Sequence, residues 1–404
     1  MTVVVVVPTR NRADLAATSI ASALAGGDPR VNVVVSDNST DPEQVERLRA
    51  WCDGRADEQL QYIRPPEPLP MSAHWQWALG RALESADATH VMYLTDRLVI
   101  RPGALAKLVS LVERKPDDVI TFGDDTIIDY REPVTISERP WTGKLLRIDS
   151  DQLLRVVARG IFLGAPTMLN TVAPRAVMED IGNTYGSVFA SIAPDHCFSY
   201  RCLDRVDSIL HWDSVVVVQH ALSHSNGYSQ IRGVSNPAHA DFLRELGEAR
   251  INEHAPVPEL LTVTNAIYNE YEFVRTERPS SKLEPLRRHY YLGANARDVA
   301  RLEDPQLRAR MTELLAQHGW SKRARLRYAL GLSASAAGYY WRHPRALLRR
   351  LLRRPVESAQ FSDSAEALTY TLQHPSPASV EPDHLWPLMS RPGAARELPS
   401  NGQS

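Results

Sequence analysis

The chain is poor in cysteine: three in 404 residues, Cys52, Cys197 and Cys202, at unrelated spacings. That excludes a disulfide framework and a zinc-ligand set, and points to reduced thiols in the cytoplasm. No apolar run approaches the roughly 18 residues that a membrane span requires. Val3–Val7 is too short for the core of a secretory signal and lacks a basic lead-in. No Gly-x-Gly-x-x-Gly and no Walker lysine is present, which removes a dinucleotide-binding or P-loop reading. Acidic residues are missing between Trp320 and Pro355, where ten Lys or Arg stand together. The net charge is nevertheless −2, so the rest of the chain is acidic and the whole molecule is not built for a polyanion. Apolar content of 43% and charged content of 23% suit a soluble globular protein of one large or two medium domains.

What is present is alternation. Val3–Val7 is five consecutive β-branched residues, stiff at χ1 and suited to a strand buried on both faces. Pro8-Thr-Arg-Asn-Arg12 is a loop, and Asp14–Leu24 reads as a helix. Val31–Val35 is a second buried strand, ending in the loop Ser36-Asp-Asn-Ser-Thr-Asp41. Then come a helix over Pro42–Trp51, a strand over Leu60–Ile63, a loop with four prolines, a helix over Ser72–Ser85 and a strand over Thr89–Leu94. A helix over Gly103–Arg114 and a strand over Val119–Phe122 follow. This order argues an α/β fold, a mostly parallel Rossmann-like sheet flanked by helices. Thr126–Leu163 is irregular and reads as an insertion or lid. Short helices are expected at Ala176–Ile181 and Asp195–Leu203, and a last strand at Ser214–Val218. The division expected is residues 1–233 as the α/β domain, 234–355 as a helical C-terminal region, and 356–404 as a disordered tail rich in Pro, Ser and Gly.

Several motifs sit where open α/β sheets present chemistry, at the carboxyl ends of strands. Pro8-Thr9-Arg10 follows the first strand and Asp37 the second; Asp37 can accept hydrogen bonds from a base or ribose, or simply form an Asx turn. Asp96, flanked by Thr95 and Arg97, ends the apolar run Val91–Leu94. A departing diphosphate needs positive charge, which a carboxylate-held cation or a placed Arg can supply. Asp124-Asp125 offers an alternative carboxylate pair, or a solvated turn. Asp195, after Pro194 at a helix start, is either a cap or a general base for an acceptor hydroxyl. His220 and His224 follow the last strand; His224, in the loop with Ser225, Asn226 and Gly227, is the better candidate for a cation or diphosphate. Leu347, Leu348, Leu351 and Leu352 form a stripe backed by arginines, so the segment 322–354 can lie on an anionic membrane or pack as an ordinary helix. No groove-reading module is visible, which argues against nucleic acid.

Five of these pieces, in order, resemble the family 2 glycosyltransferases of GT-A fold: Val3-Val-Val-Val-Val-Pro-Thr-Arg-Asn-Arg12, Val33-Val-Val-Ser-Asp-Asn-Ser-Thr-Asp41, Ser72-Ala-His-Trp-Gln-Trp-Ala-Leu79, Tyr93-Leu-Thr-Asp-Arg-Leu98 with Pro102-Gly-Ala-Leu105, and Pro194-Asp-His196. The resemblance covers about residues 1–230. It implies transfer of a sugar from a nucleotide donor to a hydroxyl on a glycan or lipid-linked glycan, with inversion. By the same resemblance Pro8, Thr9 and Arg10 line the nucleobase site, Asp37 binds base or ribose, Asp96 faces ribose and diphosphate, Asp195 is the base and His224 lies near diphosphate.

The chain departs from the family at Arg97, where members carry a second acid, and at Pro194, where many carry Glu. A divalent cation, Mn²⁺ or Mg²⁺, held by Asp96 and His224 is therefore expected to be weakened, with Arg97 supplying part of the charge. The rival readings are a non-catalytic nucleotide-sugar or glycan-binding protein with a degenerate metal site, and a nucleotidyltransferase. The second lacks the Gly-rich phosphate loop it would need. The expected location is the cytoplasm, extending to the inner face of the membrane.

Overall fold

The computed structural model describes residues 1–55, 57–138, 141, 143–162, 164–222, 251–342, 359–374 and 395–397, the backbone alone for 334–342 and 395–397. The first half alternates as its sequence dictates: β1 (Thr2–Thr9), α1 (Ala13–Leu24), β2 (Val31–Asp37), α2 (Pro42–Asp53), β3 (Leu60–Ile63), α3 (Met71–Ala82), β4 (Ala88–Tyr93), β5 (Leu98–Ile100) and α4 (Ala104–Arg114). The valine run of β1 serves two cores at once. Val3, Val5 and Val7 pack with Ile20 of α1, Leu48 of α2 and Leu108 of α4. Val4 and Val6 point the other way, towards Trp75, Ala78 and Leu79 of α3. This is the period-two alternation of a strand covered on both faces.

The chain continues through β6 (Ile120–Ile128), β7 (Val134–Ser137), β8 (Leu145–Asp149), α5 (Ser150–Val157), β9 (Thr171–Pro174), α6 (Arg175–Tyr185), α7 (Pro194–Arg205) and β10 (Ser208–Gln219). With β12 (Ala395–Glu397) at one edge, sheet order is β12-β8-β10-β6-β9-β4-β1-β2-β3. The strands β1 to β4 are parallel to one another, β9 runs against both β4 and β6, and β10 is parallel to β6. β5 pairs antiparallel with the end of β10.

Two expectations need correction. The strand expected at Val119–Phe122 runs on to Ile128, so Asp124 and Asp125 lie on a strand rather than in a turn. The stretch expected to be irregular, Thr126–Leu163, contains β7, β8 and α5.

Four helices follow: α8 (Val263–Glu277), α9 (Arg288–Val299), α10 (Pro305–Gln317) and α11 (Lys322–Arg342). They have no core of their own. Tyr268 and Tyr271 of α8, Tyr291 of α9 and Met311 of α10 join the same apolar cluster as Val4, Trp75 and Phe198. Within the stretch expected to be disordered, β11 (Gln360–Phe361), α12 (Ser364–Gln373) and β12 (Ala395–Glu397) are formed. β11 pairs with β7, β12 with β8, and Ala367 of α12 packs on Val99, Ile127 and Val218.

Candidate active site

Adjacent parallel strands bring the sequence-distant loops together. Thr9 and Asp37 are register partners at the ends of β1 and β2. Just past the end of β4, Leu94 donates its N–H to the Val6 carbonyl at 2.9 Å. Two residues later Asp96 turns back towards β1. Its Oδ2 accepts from the Thr9 hydroxyl at 2.9 Å, and its Oδ1 from the Arg12 guanidinium at 3.3 Å.

Asp37 is wholly buried. Its Oδ1 accepts the Ser39 N–H at 2.8 Å, closing an Asx turn. Its Oδ2 takes the Tyr62 hydroxyl at 2.6 Å, with an Arg64 guanidinium nitrogen at 3.6 Å. Asn38 pairs with the Leu69 main chain in both directions, at 2.8 and 2.9 Å, which ties down the proline-rich loop. Asn11, at φ 54°, accepts the N–H groups of Thr40 and Asp41, and so knits the β1 loop to the β2 loop. Beneath them Ser36 meets His74 at 2.8 Å, and burial holds that imidazole down at about 4 against the pull of Asp37, with Arg10 adding to the depression. Pro8 is buried and Arg10 partly exposed.

Arg97 stands on a braced turn. Its carbonyl accepts the His220 N–H at 3.0 Å, and Leu98 N–H bonds Thr95 O at 2.9 Å. Burial pulls the Arg97 guanidinium below its ordinary value; Asp96, Asp129 and Asp195 oppose that effect and Arg12 adds to it. Asp195, at the start of α7, is thus among the carboxylates that act on Arg97. The Asp195 side chain is 22% exposed, and the nearest His196 nitrogen is 4.0 Å away. Its neighbours on the chain are held from below. Glu270 of α8, wholly buried, accepts on Oε1 from Ser191 Oγ (2.9 Å), Ile192 N (3.2 Å), Ala193 N (3.2 Å) and Asn269 Nδ2 (3.2 Å). Burial pushes the Glu270 carboxyl up to about 8 although these donors pull the other way.

His224 lies outside the described residues. Its near neighbour His220 is 4% exposed, and burial lowers it to about 4, with Arg97 pushing the same way and Asp96 opposing. Asp125 is no free ligand: Arg101 meets its Oδ2 at 3.0 Å and Trp141 its Oδ1 at 2.9 Å. Asp124 accepts from Gln219 at 2.9 Å. Among the described residues no three His, Cys, Asp or Glu side chains are grouped to hold a metal. A divalent cation on Asp96 would compete with Thr9 and Arg12 for its oxygens. It would also lie beside two guanidiniums, a repulsion on the order of several kcal/mol at an effective dielectric of about 20. The described residues do not fit such an ion.

Four side chains of this region were not singled out from the sequence: Arg12, Tyr62, Arg64 and Glu270. Tyr62 and Arg64 could have been found, because a short strand after β2 places its tip beside Asp37. Glu270 gave no signal, since a Glu on a polar helix reads as solvated.

Residues 4–164 match the family model described as Glycosyl transferase family 2. No curated protein matches the chain. Solved structures similar to it include S. aureus TarS 1–349, 14% identical, covering 81% of this chain and 89% of that one at a TM-score of 0.42. TarS 1–349 in complex with UDP-GlcNAc is 13% identical over the same shares, at 0.42. TarS 1–349 in complex with UDP is 16% identical, covering 82% and 92%, at 0.41. The matched stretch holds Thr9, Asp37 and Asp96, so the likeness to glycosyl transferase family 2 covers the strand ends that carry them.

Proposed function

We propose that the enzyme inverts the anomeric centre in a single displacement, with Asp195 as general base and Pro8, Thr9, Arg10, Asp37, Asp96 and Arg97 as the donor site. The acceptor O–H loses its proton to the Asp195 carboxylate as the oxygen attacks the anomeric carbon. The bond from that carbon to the diphosphate oxygen breaks, and its electron pair leaves with the nucleoside diphosphate. One carboxylate serves such a displacement, whereas a retaining route needs a second as nucleophile. The support is that the Asp96 and Asp195 carboxylates both act electrostatically on the Arg97 guanidinium. Asp37, with Tyr62 and Arg64 on its outer oxygen, is the ribose or base anchor in this reading.

The acceptor hydroxyl is carried by a glycan or a lipid-linked glycan. The start of α11 supports the lipid-linked form. Lys322, Arg323, Arg325 and Arg327 are exposed there, and so are Leu326 and Leu330, each 59%. Basic groups interleaved with exposed leucines suit an anionic bilayer surface. Among the described residues no helix is long and apolar enough to cross a membrane. The enzyme in this reading works at the inner face of the membrane.

The deciding experiment substitutes Asp195→Asn. Turnover falls by about 10²-fold or more if Asp195 is the base. Binding of a nucleoside diphosphate, followed by thermal stabilisation across a nucleotide-sugar panel, stays as in the parent. Unchanged turnover in the variant sinks the assignment. Binding without turnover in the parent, for every sugar and acceptor tried, favours a non-catalytic binder.

A further inference from the structure

We infer that the charge of the departing diphosphate is met by Arg97 and Arg12, with Asp96 acting as the anion that positions them rather than as a metal ligand. The inference rests on the donor-site reading above. Three observations carry it.

First, both oxygens of Asp96 are engaged from within the protein, Oδ2 by Thr9 at 2.9 Å and Oδ1 by Arg12 at 3.3 Å. Its side chain is only 6% exposed. A carboxylate so engaged orients its partners.

Second, among the described residues the Arg97 guanidinium makes no hydrogen bond and no ion pair, although its backbone is braced by the His220 N–H and by β5. Arginine presents five donors in a planar fork that matches phosphate oxygens. A partly buried fork fixed at its root, with no bonded anion among the described residues, suits a phosphate better than it suits bulk water.

Third, His220 beside it is 4% exposed, and its Nε2 meets no partner among the described residues. This is another polar atom in the same neighbourhood left for a ligand to satisfy.

Arg12 and Arg97 bring two positive charges to Asp96, while Asp129 and Asp195 also act on Arg97. The guanidiniums are in place before the leaving group develops its charge, which is where electrostatic stabilisation is strongest.

The test is calorimetric titration of the full chain with UDP, GDP and dTDP, once in EDTA and once in excess MnCl₂, with the parent and the variants Arg97→Ala and Arg97→Lys. The diphosphate that binds is expected to do so with an affinity equal within about twofold in the two buffers. Arg97→Ala is expected to weaken it by tenfold or more in both, and Arg97→Lys to restore part of the loss, since a point charge replaces the fork. Sugar transfer should persist after chelation. Binding confined to the Mn²⁺ buffer, or Arg97→Ala binding as well as the parent, overturns the inference and leaves the donor site standing. Failure of all three diphosphates to bind in either buffer overturns the donor site as well.

Discussion

Glu270→Gln should flatten part of the pH dependence of stability. In the folded chain burial holds the Glu270 carboxyl at about 8, against an ordinary value of 4.5. Between those values the native state keeps a proton that the unfolded chain has released. Stability must therefore fall as pH rises, by about 1.4 kcal/mol per pH unit while the difference is complete. The contribution is fully present below about pH 4.5 and gone above about pH 8. Over the whole span it is on the order of 5 kcal/mol as an upper bound, the four donors on Oε1 being already reflected in the value of about 8. Glutamine keeps an acceptor oxygen for Ser191, Ile192 and Ala193 but binds no proton. Urea midpoints for parent and variant at about pH 5.5, 6.5 and 7.5 give the comparison. The difference between the two proteins should shift steadily in favour of Gln as pH rises. Parallel curves would show that Glu270 is ionised throughout and would refute the argument. Glu270→Ala is the control for the loop itself. It frees Ser191 to Ala193, so kcat should drop on the order of 10- to 100-fold with donor affinity kept.

Arg101→Ala should destabilise by about 3–5 kcal/mol, because it strips the guanidinium from wholly buried Asp125 and releases Glu138 and the His374 carbonyl. A denaturant midpoint close to the parent's would rule that out. For α11, co-sedimentation with vesicles of phosphatidylglycerol should exceed that with phosphatidylcholine and fall with salt, by about 1 kcal/mol for each basic residue removed. Equal partition to neutral vesicles, or none to anionic ones, rejects the membrane contact.

How much of this could be read before the fold was known depends on how local the signals are. The valine run of β1 and the alternation that follows announce parallel strands, because buried strands of this kind need no distant information. Asp37 and Asp96 were legible as strand-tip acids for the same reason. Asp125 was not. Gly-Asp-Asp looks like a turn, and only Arg101 and Trp141, far along the chain, make a buried carboxylate tolerable on a strand. Gly123 is part of that arrangement: a Cβ there would lie 2.1 Å from the Trp141 ring. β9 was missed because four residues running antiparallel among parallel strands have no distinct pattern. Arg12 on Asp96 and Glu270 beneath the Asp195 loop are tertiary facts, set by which loops a fold happens to bring together.

The apolar cluster that runs without interruption from Val4 through Phe198 into Tyr271 and Tyr291 has a practical corollary. A boundary drawn near residue 233 would cut through a single packed interior and strip its cover from α7, the helix that bears Asp195. Shortened versions ending there should aggregate rather than behave as a miniature enzyme. Exchanging the terminal helices with those of a cousin, to retarget the acceptor, would succeed only if the incoming tyrosines interlock with the helix they are asked to cover.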